Sequence, residues 1–149
     1  MAIYHFSIKP ISRGDGRSAV AAAAYRSAQI LDDHRYGKVQ DYARKSGVEL
    51  SQIYAPADTA PDLLDRNKLW NTVEKSENRK DACLAREFEI AFPNELNEQQ
   101  RKAMLDELCK QIVNKYAVVV DASIHAPHTE VGSDERNYHA HIMFTTRAI

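Results

Sequence analysis

The chain has 149 residues, of which 44% are hydrophobic and 28% are charged, and its formal net charge is −1. This composition is typical of one globular domain and argues against a disordered chain. Because the charges balance, a nucleic-acid partner would have to bind a local basic patch rather than a basic molecule. We therefore predict a single domain over residues 1–149.

The N-terminus and the cysteines indicate a cytoplasmic protein. The sequence begins MAIYHFSIKP, without the basic segment and long apolar run of a signal peptide, and no stretch approaches eighteen apolar residues. Cys83 and Cys109 form no CxxC pair, so we interpret them as small core residues or incidental thiols, which favours a reducing compartment. We expect a bacterial cytoplasmic protein without membrane insertion.

The predicted elements alternate between strands and helices. Residues 2–9 have the period-two pattern of a strand, and Pro10 begins a loop. Ser18 is a favourable N-cap for a helix over Ala19–Asp32, whose alanines raise helix propensity and permit close approach. The remaining predicted elements are strands at 39–42 and 48–54, a helix at 62–76, a strand at 85–92, a helix from the Asn97 cap to 115, and strands at 117–125 and 138–146. This order lacks a regular βαβ rhythm and predicts an α+β fold, an antiparallel β-sheet with helices packed on one face.

Histidines on the last two predicted strands are expected to converge. His139 and His141 are one residue apart, so their side chains point to the same face. His125 ends the preceding strand, on the same face as its polar residues. His128 follows Pro127 and is expected to lie beyond the end of that strand. An HxH pair alone is more often a pair of surface or core residues than part of a metal site. A third imidazole on the neighbouring strand favours a metal site that leaves coordination positions open for catalysis.

Two carboxylates and a tyrosine complete the candidate site. Glu87 and Glu89 share one side of their strand, where one of them would orient a metal-bound histidine, bind the metal or help to activate a nucleophile; a solvated strand face is the alternative. Tyr25 lies among alanines in the first predicted helix. A helical tyrosine is ordinarily a packing residue, and its hydroxyl is a poor nucleophile unless a nearby dication assists it.

Four blocks of the sequence resemble the MobA/MobL relaxases. They are MAIYHFSIKPISRGDGRSAVAAAAYRSA, DHRYGKVQDYARKSGV, LAREFEIAFPNEL and HAPHTEVGSDERNYHAHIMFTTR. The blocks occur in the family's order and cover nearly the whole chain, so the resemblance is specific. Similar relaxases usually continue beyond the last block, and a nicking domain truncated at its C-terminus is therefore one interpretation of this chain.

The resemblance implies the fold and chemistry of an HUH endonuclease. It implies that Tyr25 attacks the scissile phosphate at a plasmid origin of transfer, which leaves a 5′-phosphotyrosyl strand and a free 3′-hydroxyl. His125, His139 and His141 match the family's metal triad. Glu87 and Glu89 match its acidic strand. The family's working ion would be Mg²⁺ or Mn²⁺, although three imidazoles alone would also suit zinc, nickel or copper.

The implied partner is single-stranded DNA at the origin of transfer, next to a hairpin. Relaxosome accessory proteins and a conjugative coupling protein are further implied partners, and the DNA-linked form would be exported during conjugation. Basic residues in or beside the four blocks are candidates for phosphate contacts, and a solvated surface of mixed charge is the alternative for each. They are Arg13, Arg17, Arg26, Arg44, Lys45 and Arg136, with Arg35, Lys38 and Arg147 as further members.

Three other functions remain open from the sequence. A rolling-circle replication initiator also nicks one strand with a tyrosine, but the four-block match argues against it. A non-catalytic DNA-binding component of the relaxosome would need neither the metal nor the nucleophile. A metal hydrolase acting on a small phosphate would use the histidines while Tyr25 merely packs in the fold.

Overall fold

The structure is a computed structural model that describes residues 6–127 and 138–148. Its strands and helices are β1 (Phe6–Ser12), α1 (Ala19–Ser27), β2 (Ile30–Asp33), β3 (Lys38–Asp41), β4 (Val48–Tyr54), α2 (Arg66–Ser76), β5 (Cys83–Ala91), α3 (Glu98–Tyr116), β6 (Val120–His125) and β7 (His139–Phe144). Short 3₁₀ helices occur at Arg13–Asp15 and Pro61–Leu64. The predicted α+β class is confirmed.

Five of the strands form one antiparallel sheet in the order β1-β5-β7-β6-β4. The three central strands β5, β7 and β6 are hydrogen-bonded to neighbours on both sides, and β1 and β4 form the edges. Strands β2 and β3 pair only with each other, as a separate antiparallel hairpin. The short strands predicted at 39–42 and 48–54 are therefore present, but they belong to different sheets.

Helices cover both faces of the large sheet, so the expectation of helices on one face is wrong. Helix α3 covers one face, where Leu105 and Ile112 belong to the same buried cluster as Ala122 and Ile142. Helices α1 and α2 cover part of the other face, where the buried cluster includes Trp70. A second layer is possible because α1 is rich in alanine, and its small side chains let the helix pack closely.

The helices begin at the caps that the sequence predicts. The Ser18 side chain accepts a hydrogen bond from the Ala21 amide at 3.1 Å, which satisfies one of the amides that have no partner within α1. Asn97 and Gln100 form a reciprocal capping box at the start of α3, with bonds of 2.8 and 2.9 Å. Both helix starts are thus fixed by local side-chain chemistry.

Helix α1 ends at Ser27, five residues before the predicted end at Asp32. Ala28 adopts a left-handed conformation with φ of 56° and donates its amide to the Ala24 carbonyl, and the chain then enters β2 at Ile30. Ala117 ends α3 in the same way with φ of 54°, so β6 begins at Val120 and not at residue 117. Alanine gives no sequence signal for this conformation, which usually favours glycine.

Strand β1 continues through Pro10 to Ser12, although Pro10 was predicted to begin a loop. Pro10 lies opposite Arg86 on an edge strand, where a residue without an amide proton can face away from the sheet. The helix predicted over 62–76 is also divided, because Asp65 caps a separate α2 that begins at Arg66. Within the described ranges, no helix combines the length and apolar character that a membrane span requires.

Candidate active site

The structure brings the three predicted histidines onto one face of the sheet. His125 on β6 lies directly opposite His139 on β7, and His141 lies opposite Ser123, so these side chains project to the same side. The ring centroids of His125 and His141 are 4.5 Å apart. The alternate residues of β6 point to the other side, into the core beneath α3. The period-two pattern of the sequence therefore separates the candidate site from the core.

Strand β5 adds both predicted carboxylates to this face. Glu89 lies opposite His141, and Glu87 lies opposite Met143 on the same strand. One ligand atom from each of Glu87, Glu89 and His141 lies within 4.8 Å of the other two. Glu87 is buried, and its Oε1 is 3.6 Å from Nδ1 of His141. The face thus gathers imidazoles and carboxylates at adjacent positions, which is a suitable donor set for a divalent cation.

The last turn of α1 lies against this face through two contacts of Arg26. The guanidinium of Arg26 pairs with Glu87, and the Arg26 carbonyl is 2.8 Å from Nε2 of His125. Burial alone would raise the pKa of Glu87, but the nearby His141 imidazole and the hydrogen-bonded Arg26 guanidinium outweigh burial and lower it to about 2. Glu87 is therefore ionised at neutral pH, and its charge is balanced by Arg26 rather than by solvent.

The protonation of His125 and the surroundings of His141 are those that metal binding requires. Burial lowers the pKa of His125 to about 4, so its ring is neutral at physiological pH, as a metal ligand must be. In the tautomer that donates Nε2–H to the Arg26 carbonyl, Nδ1 of His125 is available, and a backbone carbonyl is a common partner for the second nitrogen of a ligating histidine. Nδ1 of His141 is buried without a hydrogen-bond partner among the described residues. An unpaired buried nitrogen beside two carboxylates fits a cation site.

Tyr25 immediately precedes Arg26 and is 46% exposed, so it is not sealed in the core. Tyr42 makes an edge contact with its ring, with centroids 5.3 Å apart and planes at 85°. The ammonium of Lys45 lies 4.1 Å from the centroid of the Tyr25 ring. The phenol is therefore accessible, and it is carried by the helical turn that contacts Glu87 and His125.

The predicted basic residues differ in how far they are available to phosphates. Arg13 is a correction to the predicted DNA surface, because it is buried in a structural network. Its guanidinium bonds Oε1 of Glu74 at 2.8 Å and the carbonyls of Glu77 and Arg79 at 2.7 and 2.6 Å. Arg26 is likewise engaged, by Glu87.

Five of the remaining predicted cations have no ion pair within the part of the chain that the structure describes, namely Arg17, Arg35, Lys38, Arg44 and Lys45. Arg44 is exposed on the loop between β3 and β4, and Arg17 is half-buried at the start of α1. Lys45 contacts Tyr25, and Arg136 lies outside the described residues. Of the further members, Arg147 pairs with Glu77 at 2.5 Å. Arg35, Lys38 and Arg44 are thus exposed cations without an ion pair among the described residues.

A buried network beside the histidines was not anticipated from the sequence. Asp121 lies two positions before Ser123 on the same face and is 4% exposed. It accepts hydrogen bonds from Arg66 at 2.8 Å and from the Trp70 indole at 2.9 Å. The alternation along the strand places Asp121 on the same face as His125, but its partners Arg66 and Trp70 are more than 50 residues away in the sequence and could not be predicted from it. This network joins α2 to the central strand that carries His125.

Comparison with known proteins identifies the family of the chain. The sequence profile described as "MobA/MobL family" matches residues 17–149. "Mobilization protein MobL" of Acidithiobacillus ferridurans is 46% identical over 129 residues, which cover 87% of this chain and 33% of that protein. "Conjugal transfer protein TraA" of Agrobacterium fabrum (strain C58 / ATCC 33970) is 34% identical over 160 residues, which cover 100% of this chain and 14% of that protein.

A solved structure shares both the fold and part of the sequence. It comes from work on the "Molecular Basis of Vancomycin Resistance Transfer in Staphylococcus aureus", with a TM-score of 0.88 and 33% identity, over 99% of this chain and 72% of that one. The chain spans only 33% and 14% of the two curated relatives described above. The profile, the relatives and the solved structure agree, and the chain belongs to the MobA/MobL family.

Proposed function

We propose that this chain is the DNA-nicking domain of a plasmid mobilisation relaxase, which cuts one strand at an origin of transfer by tyrosine transesterification. The observation that carries the proposal is the contact between α1 and the sheet. Arg26 joins Glu87 and His125, so the turn that bears Tyr25 is fixed against the face that bears the histidines. Membership of the MobA/MobL family and relatives named for mobilisation and conjugal transfer support the same function.

Tyr25 is the nucleophile in this proposal. Its Oη forms a bond to the scissile phosphorus while the bond from phosphorus to the 3′-oxygen breaks, giving a 5′-phosphotyrosyl strand and a free 3′-hydroxyl. The phenol loses one proton and the 3′-oxygen gains one. Glu89, which has no ion pair within the described residues, is our candidate for accepting the phenolic proton. The phosphodiester energy is retained in the phosphotyrosine, so rejoining needs no nucleotide cofactor.

The remaining groups on the face would bind a cation and orient it. His125, His139 and His141 would hold Mg²⁺ or Mn²⁺, which when bound supplies positive charge to a non-bridging phosphate oxygen. Oε1 of Glu87 lies 3.6 Å from Nδ1 of His141, and Glu87 is itself held by Arg26, so it would help to orient that imidazole. The substrate would be single-stranded DNA beside a hairpin, and Arg17 and Arg44 are our candidates for contacts with its phosphates.

The test uses labelled single-stranded oligonucleotides that tile the transfer origin of the plasmid carrying the gene. With Mn²⁺ we expect a nick at one position and a covalent adduct that survives denaturation, and with EDTA we expect neither. Tyr25→Phe should abolish both products, whereas Tyr116→Phe, at an exposed tyrosine on α3, should behave as the unaltered chain.

Each alternative function gives a different result in this assay. A non-catalytic DNA-binding protein would shift the oligonucleotide without cutting it. A metal hydrolase would keep its activity in Tyr25→Phe and form no adduct. A rolling-circle initiator would cut oligonucleotides from a replication origin in preference to those from the transfer origin. Any of these results would refute the proposed function.

A further inference from the structure

The loop of residues 42–47 connects the tyrosine to the histidine face. The Tyr42 amide donates to the Gln29 carbonyl at 3.2 Å, and the Lys45 amide donates to the Tyr42 carbonyl at 3.0 Å, so the loop is folded onto the end of α1. At its other end, the Gly47 carbonyl accepts from the Ala126 amide at 2.6 Å. Ala126 directly follows His125, and this loop is therefore tied both to the helix of Tyr25 and to the strand of a candidate metal ligand.

Lys45 is the residue of this loop that contacts Tyr25 most extensively. Its Nζ lies 4.1 Å from the ring centroid and donates to the Tyr25 backbone carbonyl at 3.3 Å. Tyr42 contacts another part of the same ring by its edge. Two residues of one loop thus restrict the ring, and the ammonium also anchors the backbone that carries it.

The surroundings of Lys45 argue against a simple surface cation. It is half-buried, and among the described residues it has no carboxylate partner. Burial and the nearby charge of Arg26 lower the pKa of Lys45. A poorly solvated cation without a carboxylate is costly unless another group compensates it. The Tyr25 phenol, whose ring the ammonium contacts, becomes anionic when its proton leaves.

We propose that Lys45 is a positioning residue for Tyr25, which orients the phenol ring against the histidine face and neutralises the charge that develops on it. The inference rests on the proposed function, in which Tyr25 is the nucleophile. It assigns Lys45 a role different from the phosphate contact that the sequence predicted, because its ammonium already contacts the tyrosine. Misplacement of a reacting group by about 1 Å can cost on the order of 100-fold in rate, so a lost ring contact should affect the chemical step.

The first test measures single-turnover nicking at saturating oligonucleotide, together with oligonucleotide affinity. We expect Lys45→Met to lower the saturated rate by roughly 10- to 100-fold, with affinity within about threefold of the unaltered chain. Lys45→Arg, which retains the cation, should recover most of the rate. Lys110→Met is the matched control, because Lys110 is an exposed lysine of α3 and its loss changes the net charge equally. Weaker binding with an unchanged saturated rate would show a phosphate contact and would overturn the inference.

The second test does not depend on nicking. With 3-fluorotyrosine incorporated at position 25, the ¹⁹F resonance of the full chain is recorded without DNA or metal. We expect Lys45→Met to shift this resonance and Lys110→Met to leave it unchanged. A resonance that is unchanged in Lys45→Met overturns the inference even if Tyr25 proves to be the nucleophile. Full nicking activity in Tyr25→Phe would instead refute the proposed function, so the two failures are distinguishable.

Discussion

Replacing Arg26 with methionine should destabilise the domain and make it depend on a divalent cation. The side chains of Arg26 and Glu87 are only 14% and 5% exposed, so their ion pair is largely removed from water. Methionine retains most of the aliphatic packing but leaves the Glu87 carboxylate buried without its counter-charge. The same carboxylate faces Glu89, whose negative charge adds repulsion.

The expected loss follows from the burial of this pair. Removal of one partner of a buried ion pair costs about 3 to 5 kcal/mol, and we expect about 3 kcal/mol because Arg26 is partly exposed. For a domain of this size, that loss should lower Tm by roughly 6 to 12 °C. An ion that binds only the folded chain, at a free concentration of 100 times its Kd, stabilises the fold by about 2.7 kcal/mol. Mn²⁺ should therefore stabilise Arg26→Met by more than it stabilises the unaltered chain, because the guanidinium that repels a cation is gone.

Thermal denaturation followed by circular dichroism, in EDTA and in excess Mn²⁺, measures both effects. Arg86→Met is the matched control, because Arg86 is an exposed arginine on the same strand as Glu87. The double variant Arg26→Met/Glu87→Gln should regain much of the lost stability, since neither position of the former pair then carries a charge. A Tm of Arg26→Met within about 1 °C of the unaltered chain, with the same response to Mn²⁺, would refute this account of the site.

Three further predictions concern burial and protonation. Because the folded-state pKa of His125 is about 4, below the ordinary 6.5, the stability it contributes is complete above pH 6.5 and is lost as the pH falls towards 4. In EDTA, denaturant unfolding should show a loss of about 1 to 2 kcal/mol across this window, after allowance for solvent screening, and a flatter profile in His125→Gln. Burial raises the pKa of Cys109 to about 12, so a thiol reagent at pH 8 should react only with the half-buried Cys83 of the native chain. Denaturant should make a second thiol reactive, and two reactive thiols in the native state would contradict this prediction. Trp70→Phe removes a hydrogen bond to buried Asp121 and should lower the free energy of unfolding by about 1.5 kcal/mol, a low value because Arg66 still bonds that carboxylate. An unchanged midpoint of chemical denaturation would exclude this role of Trp70.

Features that depend on neighbouring residues could be predicted from the sequence. The Ser18 and Asn97 caps are local, because each side chain bonds an amide three residues ahead. The shared face of His139 and His141 follows from the two-residue period of any strand. Position within a strand or helix therefore identified these groups before their spatial neighbours were known.

Features set by distant pairing could not be predicted in this way. The order of strands in the sheet, which places β5 beside β7, joins segments about 50 residues apart. Arg13 and Arg26 were both interpreted as DNA contacts, because the sequence does not show that Glu74 and Glu87 lie against them. The end of α1 was predicted too late because Ala28 is a good helix former that here adopts a left-handed conformation.

The candidate metal ligands and the candidate nucleophile belong to different layers of the domain. The ligands stand on β5, β6 and β7, whose relative positions are set by hydrogen-bond ladders on both sides. Tyr25 stands on α1, which packs against the sheet through its buried alanines and through the contacts of Arg26. The relative positions of the candidate ligands are therefore set by main-chain hydrogen bonds, whereas their distance from the phenol is set by side-chain packing, so a mutation in α1 should alter the second without altering the first.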